Sequence, residues 1–167
     1  MPVPFPRGTT AEARRLAARL RTEGETLAAY MESLPESQWS TTIYAEGTAW
    51  TVRGVFAHIL ATERDYVSLF AHVRGGGAGV PEGFDIDRHN ANQQQQTDTL
   101  EAAELVGQFR AARARMVDFV SGLTDSDLEK RGRHPFLGVV PLRDMIRLVH
   151  IHNQTHYRDV RQILRTM

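Results

Sequence analysis

His152 and His156 stand one helical turn apart in the segment from His150 to Leu164, close enough for both rings to hold one divalent cation. At about 100° per residue, Leu142, Met145, Ile146, Val149, Val160, Ile163 and Leu164 fall within roughly 60° of one direction, and both histidines fall with them. Two imidazoles thus take places where a core would want Leu or Val. Burying them costs free energy unless each ring nitrogen finds a partner, and a cation suits a pair at i, i+4. Two ligands do not complete a protein site, so a third must come from another helix. His58 is the available donor, although its projection lies about 120° from the centre of its own helix's apolar stripe, at the border of the buried face. The competing reading has the histidines bonded to backbone or carboxylate groups in a wet core.

Glu63 is the other anomaly, projecting within about 20° of the centre of that stripe, between Ile59 and Val67. A carboxylate there could orient a ligand imidazole, act as a fourth ligand, serve as general base, or form a salt bridge to an Arg of a neighbouring helix. His150 projects about 100° off the stripe of the last helix, as a surface or supporting group. His72, His89 and His134 fall at a helix end or in connectors, where exposure is expected. Arg158 and Arg161 read as a solvated helix face, and Trp39 and Trp50 as anchors of a loop, with a pocket wall as the lesser alternative. No GxSxG or P-loop is present, and Asn153 stands where a zinc-protease HExxH would carry Glu.

Four long amphipathic segments must position these residues. Thr9-Thr10-Ala11-Glu12 reads as a capping box, opening a helix that runs to about Ser33 and ends at Leu34-Pro35. Thr51 caps a second helix, stopped by Gly75-Gly76-Gly77, with Val52, Val55, Phe56, Ile59, Tyr66, Val67 and Phe70 on its apolar stripe. A loop-like stretch to Thr97 includes HNANQQQQ, a candidate short exposed helix. Asp98 to Glu101 marks the start of a third helix reaching about Gly122, followed by a connector that begins at Thr124. Pro141 opens the fourth, which runs almost to the end. With no convincing alternating pattern, the expectation is an all-α four-helix bundle with a long connection between helices two and three.

The chain is expected to form a single domain over 1–167, with an ordered core from about 9 to 166. Twenty basic and twenty acidic residues cancel, so the bulk positive field used by nucleic-acid and anionic-membrane binders is missing. No membrane span or signal-peptide stretch is legible, and the zero Cys count fits a reducing compartment, so a cytoplasmic protein is expected. The same count excludes Cys nucleophiles, thiolate zinc ligands and iron–sulfur clusters.

Trp50-Thr51-Val52 opening a helix that carries His58, Glu63 five residues on, and a last helix with His152 and His156 together resemble the DinB/YfiT-like family of metal-dependent enzymes. The resemblance spans about residues 10 to 165. It implies up-down-down-up helix order, frequent homodimers, and a divalent metal, such as zinc or nickel, bound by His58, His152 and His156. Relatives include transferases and isomerases that use low-molecular-weight thiols such as mycothiol or bacillithiol. The Gly-Gln often found soon after the last His is replaced here by Tyr157-Arg158-Asp159, and the extra C-terminal domain of the maleylpyruvate isomerase type is not expected. Three neutral imidazoles leave a coordination position open, which suits Zn, Ni, Fe or Mn. The favoured expectation is a small-molecule transferase using a low-molecular-weight thiol. The alternatives are a hydrolase using metal-bound water, with Glu63 as its catalytic residue, and a non-catalytic dimeric metal-binding or stress-related bundle.

Overall fold

The computed structural model describes residues 9–47, 49–97 and 99–167. Helix α1 (Ala11–Glu32) starts where the Thr10 hydroxyl accepts the Ala13 N–H at 3.0 Å, and its Ala, Leu and Arg content carries it through six turns. The cap is thus one residue later than the expected Thr9 box, because Glu12 turns instead toward Arg147 of the last helix, 2.8 Å away. A short 3-10 helix (Glu36–Ser40) then inserts Trp39 edge-on against Phe56. Strands β1 (Thr42–Tyr44) and β2 (Trp50–Thr51) pair antiparallel and lead into α2 (Val52–Arg74), where the Thr51 hydroxyl accepts the Gly54 N–H.

Beyond α2 come the polar helix α3 (Ile86–Thr97), α4 (Ala102–Ser121), the short α5 (Asp125–Glu129) with a reciprocal Thr124/Asp127 capping box, β3 (Arg131–His134), β4 (Gly138–Pro141) and α6 (Leu142–Arg165). Helices α1, α2, α4 and α6 are the four long elements expected of the bundle. Helix α4 begins at Ala102 rather than in the Asp98–Glu101 signal, of which Asp98 lies outside the described residues.

Two antiparallel hairpins, β1/β2 and β3/β4, were not legible as alternation, because strands of two to four residues are too short to display a period. The glycine-rich loop after α2 docks on the second hairpin. Val80 donates to the Arg133 carbonyl at 2.9 Å and Arg133 donates to Ala78 at 2.7 Å. Gly79, at φ +89°, permits that contact, since a Cβ there would fall 2.3 Å from the Arg133 backbone.

The apolar interior is in two parts. One gathers Leu27, Met31, Trp39, Phe56, Phe109 and Val160, the other Leu20, Phe70, Met116, Leu142, Met145 and Val149. Each large side chain so buried contributes about 1.5–3 kcal/mol. Between the two parts every long helix supplies a non-aliphatic residue: Gly24 from α1, Glu63 from α2, Arg113 from α4 and Asn153 from α6. This polar layer adjoins the histidines. No helix among the described residues is long and apolar enough to cross a membrane.

Candidate metal centre

His58, His152 and His156 converge as expected, with one ring nitrogen of each lying within 4.8 Å of the others. His58 Nε2 is 3.0 Å from His152 Nε2. Imidazoles at 2.0–2.1 Å from a common tetrahedral ion have nitrogens about 3.3 Å apart, so the His58–His152 spacing is close to that of a divalent site, with the third ring in the same cluster.

Placing His58 at the border of the buried face underestimates its burial, for it is only 8% exposed. Every residue from 54 to 61 of α2 is buried, because the first hairpin and the 3-10 helix cover the flank that a bundle helix would leave to solvent. Single-face geometry fails there. Trp50, at the end of β2, lies against the His58 ring at 4.9 Å between centroids and walls the cavity in front of it. Trp39 is the anchor; Trp50 takes the lesser alternative, a pocket wall.

The hydrogen-bond partners of the two α6 histidines fix which nitrogen is free. The Tyr44 hydroxyl donates its single hydrogen to Asp159 Oδ2 at 2.8 Å, so it meets His156 Nδ1, 2.9 Å away, only as an acceptor. His156 therefore carries its proton on Nδ1 and a lone pair on Nε2. In the same way Asn153 Nδ2 donates to Glu63 Oε1 at 2.9 Å, leaving Asn153 Oδ1 to accept from His152 Nδ1 at 2.9 Å. Outward-facing N–H groups and inward-facing lone pairs are what metal-binding imidazoles need.

Burial, reinforced by His152 and His156, pushes His58 down to about 3. Burial first and His152 second push His156 down to about 4, against a small opposing pull from Asp159. His152 is lowered by burial too, offset in part by the Asn153 hydrogen bond and by Glu63. All three rings are thus held neutral, the state that ligates a cation.

Glu63 is 1% exposed and faces away from the cavity. Arg113 donates through Nε to Oε2 at 2.9 Å and through Nη2 to Oε1, forming a fork, while Nη1 donates to the Leu20 carbonyl. Of the roles open to Glu63, the geometry joins two: a salt bridge to a neighbouring Arg and, through Asn153, an acceptor that orients His152. The fourth-ligand and general-base roles lack a free carboxylate oxygen aimed at the histidines. Gly24 makes room for this brace, since a Cβ on it would fall 2.6 Å from Arg113 Cγ.

His134 corrects an expectation. Expected to be exposed, it is 1% exposed because β3 carries it beneath the hairpin, where Nδ1 accepts the N–H groups of Phe136 and Leu137 and the ring lies against Tyr66. Burial pushes it down to about 4. His89 is half-buried and bonded to Asp65 at 2.6 Å, and His72 is exposed. His150 sits 2.6 Å from Glu23, away from the cavity, and Arg158 lies on the solvated face as expected. Sequence reasoning missed Tyr44, Asp159, Asn153 and Arg113 as supports. Asp159, three residues after His156 on the same helical face, was the one with a readable signal.

The three nitrogens face a cavity of about 600 Å³ between α2, α3, the glycine-rich loop and the tip of the second hairpin. The arrangement is that of an open site: donors on one side, room for a small molecule on the other.

Comparison with known proteins agrees with the helical-bundle fold. The profile of the DinB superfamily matches residues 19–160. The chain belongs to that superfamily. Among solved structures it is similar to YfiT from Bacillus subtilis, described as a probable metal-dependent hydrolase with an unusual four-helix bundle topology, at 19% identity and a TM-score of 0.76, covering 99% of this chain and 93% of YfiT. A mycothiol-dependent maleylpyruvate isomerase matches at 14% identity and a TM-score of 0.70 over 95% of this chain, which spans 61% of the isomerase. An uncharacterized protein from Clostridium difficile 630 matches at 14% identity and a TM-score of 0.73, over 93% and 97% of the two chains. At these identities the likeness is one of fold. No curated protein matches the sequence.

Proposed function

We propose that this chain is a metal-dependent small-molecule enzyme whose divalent cation, zinc or nickel in first place and iron or manganese in second, is held by His58, His152 and His156. The observation that carries this reading is the convergence of three neutral imidazoles, two with Nδ1 committed to Tyr44 and Asn153, on the wall of a cavity large enough for a substrate. A cation bound there supplies Lewis acidity, favouring the deprotonated form of a thiol or water brought to it.

The residues of the chain do the rest. Tyr44 and Asp159 hold His156 in one tautomer, Asn153 and Glu63 hold His152, and Trp50 and Tyr66 pack against the rings of His58 and His152. Glu63 is in this reading a positioning residue, acting through Asn153. Glu63 and Asp159, the carboxylates tied to the histidines through Asn153 and Tyr44, are both engaged, so neither serves as a free base. That favours transfer of a low-molecular-weight thiol, which needs no protein base once the thiol is ionised, over hydrolysis. The likeness to YfiT favours a hydrolase as the second reading. The proposal extends to a cytoplasmic homodimer, for which light scattering is the check on assembly.

Elemental analysis of the purified protein, followed by a panel of thiols with 1-chloro-2,4-dinitrobenzene, tests the proposal. One metal per chain and thiol-dependent turnover are expected. Metal-dependent ester hydrolysis without thiol would move the assignment to the second reading, and protein that neither contains nor takes up metal would end both.

A further inference from the structure

The face that α2 turns to the cavity is one stripe, His58, Thr62, Asp65, Tyr66, Leu69 and His72, at i, i+4, i+7, i+8, i+11 and i+14. At 1.5 Å per residue, His58 and Asp65 are about 10 Å apart along the helix axis. A ligand touching the histidines thus has an elongated trough ahead of it rather than a compact chamber. The opposite walls are apolar, formed by Val80, Pro81, Phe84, Ile86, Pro135 and Phe136. Phe136 itself is 76% exposed at the tip of the second hairpin, a large ring with little apolar cover of its own.

Apart from imidazoles, the ionisable side chains that line this space are all acidic. Among the described residues lining the cavity there are two carboxylates, Asp65 and Asp87, and no Lys or Arg. Asp65 is bonded to His89, so a carboxylate–imidazole pair stands part-way along the trough, with Leu69 and His72 beyond it. A neighbouring cavity of about 460 Å³, which shares Trp50, Asp87 and Asn90 with the first, adds Glu46 and again no described Lys or Arg. Away from the three histidines, a substrate carboxylate or phosphate would be desolvated against apolar walls with no Lys or Arg among the described lining residues to receive it and with Asp65, Asp87 and Glu46 nearby.

We infer that the cavity selects an elongated, largely apolar molecule that carries no anionic group beyond the atom it presents to His58, His152 and His156. The inference rests on the metal-dependent reading for the placement of that atom, but the choice of tail belongs to the trough alone. Length is favoured along the α2 stripe, and a hydrogen-bond donor about 10 Å from His58 is received by Asp65 and His89.

Three hydroxamates with one metal-binding head separate these terms on the zinc-loaded protein, read by calorimetry: acetohydroxamic acid, octanohydroxamic acid and suberic acid monohydroxamate. Octanohydroxamic acid should bind at least about 100-fold tighter than acetohydroxamic acid, since each buried methylene adds roughly threefold. The carboxylate-tailed compound should fall at least about tenfold below octanohydroxamic acid, and Leu69→Arg should erase that gap. A carboxylate tail that binds as well as the methyl tail, or affinity independent of tail length, overturns the inference. If zinc is not taken up, the metal reading fails by itself and the comparison passes to the metal-free protein with 1-octanol and octanoate. There, preference for octanol upholds the trough's selectivity and equal or tighter octanoate refutes it.

Discussion

Two polar clusters lie side by side in this bundle, and they are built on opposite principles. Around Arg113, Glu63 and Asn153 the donors and acceptors pair off, down to the Leu20 carbonyl that receives Arg113 Nη1. Around His58, His152 and His156 the supporting bonds point outward, and nitrogens face one another at 3.0 Å across the edge of a cavity. The first cluster is closed and holds four helices in register; the second opens onto the cavity. Asn153 belongs to both, so the closed cluster sets the direction of one ring in the open one.

The largest effect expected from disturbing this contrast is on the closed side. Glu63→Ala strands the Arg113 guanidinium in a buried layer, and chemical denaturation should show a loss of about 3–5 kcal/mol. If the variant is as stable as the parent, the layer is not the brace described.

Acid should next separate the clusters. An unfolded imidazole titrates near 6.5, whereas His58 is pushed down to about 3 and His134 and His156 to about 4. Below 6.5 the unfolded chain takes up protons that the folded metal-free chain refuses. Their contribution to stability is therefore complete above pH 6.5 and is lost as pH falls toward 4 and then 3. Melting temperatures of metal-free protein between pH 7 and 4 should fall accordingly, and a flat profile would contradict the burial assigned to these rings.

On the open side, Tyr44→Phe removes the acceptor of His156 Nδ1 with little change in packing. Metal affinity should drop by about 10–100-fold in a competition titration, while the metal-free protein melts close to the parent. A matching drop in metal-free stability would instead make Tyr44 a packing residue. The smallest effect belongs to Phe136→Ser at the hairpin tip, expected to change stability by less than about 0.5 kcal/mol in urea. A larger loss would mean that the tip is part of the core.

The same contrast explains what could be read from the sequence. The long helices, the cap at Thr51 and the histidine pair on α6 rest on periodicity and local chemistry, and these were legible. Glu63 was legible as an anomaly, but its partner was not, because Arg113 lies fifty residues away and nothing local distinguishes it from the other arginines. Tyr44 meets His156 across 112 residues from a three-residue strand that displays no period. His58 seemed marginal because a helical projection assumes one buried face, and the first half of α2 has none to spare. His134 was misplaced for the reason that hid its hairpin, since RGRH carries no alternation.

The central claim is that nitrogens from two helices share one cation, and zinc titration of metal-free protein, parent against His58→Ala, tests it most directly. The account predicts one zinc per chain for the parent and a loss of at least about 100-fold in affinity for the variant, with the fold intact by circular dichroism. Equal zinc affinity in the two proteins would contradict it, leaving His152 and His156 as a pair that His58 merely touches.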